Sequence, residues 1–465
     1  MGIRAQEALI LLVSYLCLSS TGTFENSSLL YSSLTTNPYM KIFCSGIGGI
    51  GLSAYAAFQA SQGHIVSGSD RADSAVVQDL CSQGIAVSLL QDGTAIPFDA
   101  ELFVYSEAVL DTSPERVRAK ELKIPQQSYF QALGELSKTY RVIAVCGTHG
   151  KSSTTAMAAR VLMESHLDPN VIVGTKLREL SGRNWKKGGS ELFVLEACEY
   201  RRSFHFLSPK IILLTNADGD HFDYYQSQDD YEQAFVDFIQ RLPSDGLVIA
   251  HGSDPVSVSI VKRGGRSMID ADAFSLPSLA TPGVHMQQNG RLVLALAKEL
   301  GIADAHALSA LAGYSGSWRR TEVKGTTAMG ATVIDDYGHH PTEIRATIAA
   351  ILGKYSGRRL VVAFQPHTHD RTLRLYNDFT RSFRGVGLVI IPNICDARRD
   401  RDSGTVDLPA FIADIARESA VEVRDGHSLK ETEDLLRNEI LKNGDVLLTL
   451  GAGDITELAG KMMKD

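Results

Sequence analysis

Apolar, β-branched runs alternate with glycine turns and helix-forming stretches along most of the chain. The first run, residues 41–45, opens directly after Met40 and leads into a glycine turn, and 65–66 and Leu102–Tyr105 continue the rhythm. A second series opens with Arg141–Cys146, passes through another glycine turn into the helix-forming run 156–163, and continues with apolar runs at 192–195 and 211–214 that end in polar residues. Such alternation predicts doubly wound, mostly parallel sheets, which carry ligands at the C-terminal ends of their strands. Turn residues at 280–283 and 313–317 mark seams. From about residue 317 a third series predicts strands at 331–334, Leu360–Phe364, Leu388–Ile391 and Val446–Leu450.

At 465 residues the chain exceeds one ordinary core, and a prior of about 150 residues per domain gives about three. We place them at 40–139, 140–315 and 316–465, after an extension over 1–39. A net charge of -8 and a sequence pI near 5.9 exclude a nucleic-acid-coating protein, because phosphate backbones need clustered excess Lys and Arg. Any anionic ligand must be held by local sites. Cys17, Cys44, Cys81, Cys146, Cys198 and Cys395 are scattered without a CxxC pair, so they read as reduced thiols. Arg4, the apolar stretch 8–18 and Ser19, Ser20 and Thr21 look like a short signal peptide. The stretch is too short to span a membrane as a helix, and the chemistry below belongs inside the cell. The expectation is therefore a non-functional or disordered leader on a cytoplasmic protein with no stable membrane insertion.

The sharpest local signal is Gly147-Thr148-His149-Gly150-Lys151-Ser152, between an apolar strand and a helix. A glycine-rich turn there aims backbone amides at phosphates, the helix N-terminus adds its positive end, Lys151 meets the outer phosphates and Ser152 can ligate magnesium. This is a phosphate-binding loop, although Val145 stands where the common pattern has its first glycine. Glu196 ends one predicted strand and His221 lies beyond the next. A carboxylate and an imidazole at such strand ends can share magnesium with bound phosphates, although each alone is only a polar loop residue. Near the start, Gly46-Ile47-Gly48-Gly49-Ile50-Gly51 fits a dinucleotide fingerprint. Alone that is a weak signal, and it leaves a dehydrogenase open. Arg319-Arg320 alone reads as a solvated charge pair.

Together these residues resemble the Mur ligase family. The run from Gly147 to Thr155, Glu196-Ala197-Cys198-Glu199 with Ser203 and Phe204, Thr215-Asn216 and Asp220-His221 look like its central ATPase domain. Asp335-Asp336-Tyr337-Gly338-His339-His340-Pro341-Thr342-Glu343-Ile344, Phe364-Gln365-Pro366-His367 with Arg371 and Thr372, and Leu450-Gly451-Ala452-Gly453-Asp454-Ile455 are similar to its alanine-adding branch. The likeness covers essentially 40–460. It implies an α/β fold of three domains: a Rossmann-like N-terminal domain, a central P-loop ATPase domain with a mostly parallel sheet, and a Rossmann-like C-terminal domain. It implies an ATP- and magnesium-dependent ligase of peptidoglycan synthesis, joining L-alanine to the lactyl carboxylate of UDP-N-acetylmuramate through an acyl phosphate, as a monomer or homodimer.

The same resemblance assigns roles. Lys151, Glu196, His221, Arg320 and His339 are catalytic, and Ser152, Glu196 and His221 hold magnesium. Gly147, Thr148, His149, Gly150, Lys151, Ser152, Ser153, Asn289, Arg320 and Asp336 bind ATP. The UDP-sugar falls to Gly46, Gly48, Gly49, Ile50, Gly51, Ser69, Asp70 and Ser106, and the amino acid to His339 and Arg371. Three departures stand out. Cys198 replaces a second acid, Thr368-His369 replaces an arginine and a tyrosine, and 220–240 contains no lysine to be carbamylated. The second leaves Arg371 without its partner and makes acceptor selectivity the open question. A sister ligase joining a murein tripeptide to the same sugar nucleotide is one rival, and a P-loop binding protein that uses nucleotide as a switch is another.

Overall fold

The computed structural model describes residues 39–395 and 404–463, so the expected leader lies outside the described residues except for Tyr39. Three sheets follow one another along the chain. The first is fully parallel, in the order β3-β2-β1-β4-β5, from β1 (Lys41–Ser45), β2 (Ile65–Ser69), β3 (Ala86–Ser88), β4 (Leu102–Tyr105) and β5 (Gln126–Ser128). The order reverses at β1, so the turn after β1 sits at the switch point where such sheets open a crevice.

The second sheet runs β12-β11-β10-β6-β9-β7-β8. Its strands are β6 (Arg141–Cys146), β7 (Asn170–Leu177), β8 (Arg183–Lys186), β9 (Leu192–Glu196), β10 (Pro209–Leu214), β11 (Leu247–Ala250) and β12 (Ser267–Asp270). Only β8 is antiparallel, to β7. Side chains alternate between two cores, as a strand's two-residue period requires. Ile143, Val145, Val194 and Leu213 enter one core, and Val142, Ala144, Phe193, Leu195 and Ile212 the other. Burial on both faces explains why these strands read as unbroken apolar runs. The turn at 280–283 leads into the helix Val284–Glu299, which packs in the first of these cores and so stays with the central sheet.

The third sheet runs β13-β14-β18-β15-β16-β17, from β13 (Glu322–Thr326), β14 (Thr332–Asp336), β15 (Leu360–Phe364), β16 (Leu388–Ile391), β17 (Val423–Asp425) and β18 (Val446–Leu450), with β13 antiparallel. Strand β14 extends two residues beyond the predicted 331–334. It absorbs Asp335 because that buried acid accepts hydroxyl protons from Thr449 at 2.8 Å and Thr456 at 2.7 Å. No described helix is long and apolar enough to cross a membrane.

Candidate functional site

The turn Gly147–Gly150 joins β6 to the helix Lys151–Glu164. Gly147 has φ of +138° and a Cβ there would come within 2.0 Å of Thr215 Oγ1, while Gly150 is left-handed at φ +80°. Only glycine fits both. Thr215 Oγ1 donates to the His149 carbonyl at 2.5 Å, and the His149 amide donates to Asn216 Oδ1 at 3.0 Å. The end of β10 therefore braces the loop at the expected helix N-terminus.

Lys151 donates to the Gly147 carbonyl at 2.5 Å and the Thr148 carbonyl at 3.0 Å, and its ammonium pairs with Glu199 at 2.9 Å. Glu199 is 1% exposed and also lies 3.5 Å from His221 Nε2. Burial opposes both charges of the pair, but the partners prevail: Glu199 raises Lys151 above its ordinary value, and Lys151 with His221 lowers Glu199. Glu199 lies within the motif Glu196-Ala197-Cys198-Glu199, whose pattern alone assigns it no role. The signal available was an acid one residue beyond the position where Cys198 replaces the family's usual acid. Cys198 cannot substitute for that charge, because burial, with Glu199 nearby, pushes its thiol up to about 12.

Glu196 ends β9, where its Oε2 accepts the Gly174 amide of β7 at 2.9 Å. Ser152 is buried in the first turn of the loop helix, and His221 follows β10 in a left-handed conformation, φ +56°. Among the described residues no three His, Cys, Asp or Glu side chains converge on a metal position. The Ser152 hydroxyl and Glu196 carboxylate are the hard oxygen donors magnesium takes, so they fit as part of a shell that phosphates and water complete.

Side chains of the third unit reach this loop. Arg371 stands on the short helix His369–Arg374, whose N-cap Thr368 accepts the Arg371 amide at 3.4 Å. Its guanidinium donates to both Asp220 oxygens at 3.1 and 3.3 Å. Burial works against the Asp220 charge, but the Arg371 guanidinium beside it holds its carboxyl far below the usual range. His339, expected beside the acceptor, is kept neutral by burial and by Arg371, its pKa pushed down to about 3. Glu343 lies 3.2 Å from His149 Nδ1 and 3.9 Å from Arg320.

A cleft of about 160 Å³ lies between the loop and the third unit, lined by His149, Gly150, Ser153, Asn289, Arg320 and Asp336 among others. These are expected ATP residues brought together. Asp336 is less free than expected, since its carboxylate accepts the amides of Thr321 at 2.6 Å and Gly338 at 2.7 Å. Arg319 and Arg320 are not a solvated pair. Arg319 is 5% exposed and donates to the Gly451 carbonyl at 2.5 Å, whereas Arg320 lies 5.0 Å from the Tyr337 ring centre.

The first-sheet turn holds the other candidates. Gly46 has φ of +76° and packs on Ser106, the Gly48 amide donates to Asp70 at 2.8 Å, and Gly49 caps the helix Ile50–Ser61. Gly51 lies in the first turn of that helix against the Tyr129 ring. Ser69 does not line the crevice as expected: it is fully buried and donates to Glu115 at 2.8 Å, a carboxylate that Ser45 also reaches. Asn184 of β8 donates to the Ile50 carbonyl at 2.6 Å, tying this turn to the central sheet.

Family models match three successive stretches: the Mur ligase family catalytic domain at 41–141, the Mur ligase middle domain at 145–291, and the Mur ligase glutamate ligase domain at 319–453. The chain is 34% identical to the UDP-N-acetylmuramate–L-alanine ligase of Clostridium novyi (strain NT) over 444 residues, 89% of this chain and 95% of the relative. It is 35% identical to the enzyme of the same name from Lachnospira eligens over 461 residues, 92% and 98% of the two chains. The crystal structure of UDP-N-acetylmuramate-alanine ligase from Thermotoga maritima superposes with a TM-score of 0.75 at 26% identity, covering 91% of this chain and 98% of that one. Three consecutive domain matches, and relatives aligned over nine-tenths of the chain, lead to one conclusion: the chain belongs to the Mur ligase family.

Proposed function

We propose that the chain spends ATP to join L-alanine to the lactyl carboxylate of UDP-N-acetylmuramate, in peptidoglycan synthesis. Two relatives named for this reaction align over almost the whole chain. The structural observation that carries the reading is a line of charges from the phosphate loop to the third unit. Lys151 pairs with Glu199, Glu199 faces His221, and the adjacent Asp220 is held by Arg371. This continuity supports a reading in which a phosphoryl-transfer centre and an amino-acceptor arm share one wall.

A carboxylate is a poor electrophile at neutral pH. Its oxygen attacks the γ-phosphorus of ATP, the bond to the β–γ bridging oxygen breaks, and ADP leaves behind an acyl phosphate. Lys151, on the loop, and Arg320, across the cleft, neutralise the charge on the transferring group. Ser152, Glu196 and His221 would hold magnesium, which supplies further charge neutralisation at the phosphates. The amine of L-alanine then attacks the carbonyl carbon and phosphate departs. Arg371 meets the alanine carboxylate by sharing its guanidinium with Asp220. Neutral His339 acts as a hydrogen-bonding partner and not as a strong base. Closure of the third unit over the loop excludes water, which would otherwise hydrolyse the acyl phosphate. ATP and a nucleotide-activated sugar are reactants of the cytoplasm, so the reading carries that location.

The test is phosphate release with ATP, magnesium and UDP-N-acetylmuramate, adding L-alanine, glycine, L-serine and the murein tripeptide in turn. Release should depend on L-alanine. Release with the tripeptide alone would move the chain to the sister activity, and none with any acceptor would overturn ligase chemistry.

A further inference from the structure

We propose that Glu343 is a positioning residue that ties the third unit to the phosphate loop and so orients His149 and Arg320 for the nucleotide. The inference rests on the nucleotide site described above and deepens it. Glu343 stands in the first turn of the helix Pro341–Lys354, whose N-cap is His340. Its Oε2 is used locally, accepting the amides of His339 at 3.1 Å and His340 at 3.4 Å. A capping glutamate needs no more than that.

The other oxygen, Oε1, is the one 3.2 Å from His149 Nδ1 and 3.9 Å from the Arg320 guanidinium. His149 sits in the middle of the glycine turn. Its amide and carbonyl are already pinned by Asn216 and Thr215, so fixing its ring fixes the last free part of that residue. The ring also packs on His340, with centres 4.7 Å apart, so two neighbours on the same third-unit segment hold it. One carboxylate therefore completes a helix cap with one oxygen and, with the other, joins a loop residue of the central sheet to a cation across the cleft. Opening the third unit would separate Glu343 from His149 while leaving the cap intact, so the loop would be fully braced only in the closed form.

Glu343→Gln keeps an acceptor oxygen for the cap and removes the charge. We compare kinetics for ATP and for UDP-N-acetylmuramate, and binding of a non-hydrolysable ATP analogue with magnesium, in the parent, Glu343→Gln, His149→Ala and the double variant. Losing one charge-assisted hydrogen bond should lower kcat/KM for ATP about tenfold and leave the KM for the sugar nucleotide unmoved. The double variant should lose little more than the worse single one, because the two residues act as a unit. Additive losses, or a lowered melting temperature with unchanged ATP kinetics, would reduce Glu343 to a helix cap and overturn the proposal. A parent that binds the analogue but releases no phosphate would sink the ligase reading alone. Unchanged analogue binding in Glu343→Gln would sink this one alone.

Discussion

Replacing Glu199 by Gln tests whether the buried pair at the phosphate loop is a structural pair or one waiting for a ligand. Glu199 and Lys151 stand 2.9 Å apart with side chains 1% and 15% exposed. At that distance the bare attraction is ~6 kcal/mol for an effective dielectric of about 20. Leaving one member of a buried pair without its partner costs about 3–5 kcal/mol net. Glutamine keeps an acceptor oxygen, and Lys151 keeps the carbonyls of Gly147 and Thr148. The lower figure, about 3 kcal/mol, is therefore expected, and at about 2–4 °C per kcal/mol this is a melting decrease of roughly 6–12 °C.

The phosphates of a nucleotide offer Lys151 a replacement partner. A saturating non-hydrolysable ATP analogue with magnesium should therefore raise the melting temperature of Glu199→Gln more than that of the parent. Thermal unfolding of both proteins, with and without the analogue, gives all four numbers. Equal ligand shifts would show that Lys151 does not meet the phosphates. A decrease below about 2 °C without ligand, under 1 kcal/mol on the same scale, would refute the claim that the pair is energetically coupled.

Lys151→Ala removes a charge that acts mainly in the transition state, so kcat should drop at least about a hundredfold while UDP-N-acetylmuramate still binds in calorimetry. Arg371→Ala should raise the alanine KM by about one to two orders of magnitude and leave the ATP KM unmoved; the reverse pattern in steady-state kinetics would return Arg371 to the nucleotide site. Gly147→Ala should abolish analogue binding, because its Cβ would meet Thr215 Oγ1 at 2.0 Å on a φ of +138°. For pH, burial lowers the folded pKa of His339 to about 3 and of His340 to about 4, from 6.5. Between those values the unfolded chain binds more protons, so stability should decline as pH falls below 6.5, by up to ~1.4 kcal/mol per unit per histidine. Urea midpoints across that range should show a shallower slope in His340→Asn.

The architecture was legible because both-face burial writes strands as apolar runs. Arg141–Cys146, Leu360–Phe364, Leu388–Ile391 and Val446–Leu450 match their predicted ends residue for residue. Short edge strands such as β3, only three residues with no fully buried position, carried no such signal. The glycine turns were legible for a different reason: positive φ and close backbone approach leave glycine little competition, as Gly147 and Gly150 show. Pairings were not legible, because a motif names residues without saying which oxygen faces which nitrogen. Ser69 looked like a crevice residue until Glu115, which no motif singled out, claimed its hydroxyl. Asp336 reads as an ATP residue in the motif, and the motif does not say that the backbone amides of Thr321 and Gly338 already donate to its carboxylate.

The pairing of Arg371 with Asp220 carries the largest consequence for the acceptor. Where the family sets a second arginine, this chain has Thr368, which caps the helix bearing Arg371. In the proposed reaction the guanidinium that remains would have to satisfy two carboxylates, Asp220 and that of the incoming amino acid. Asp220 is nine-tenths buried and holds its charge chiefly through Arg371. Sharing Arg371 with a second anion weakens each contact, and adding a cation relieves both. Thr368→Arg should therefore lower the alanine KM by strengthening the acceptor contact without disturbing Asp220. If it raises that KM, the added cation has drawn Arg371 or Asp220 out of place, and the threonine is better read as a cap required for the position of Arg371 than as a missing anchor.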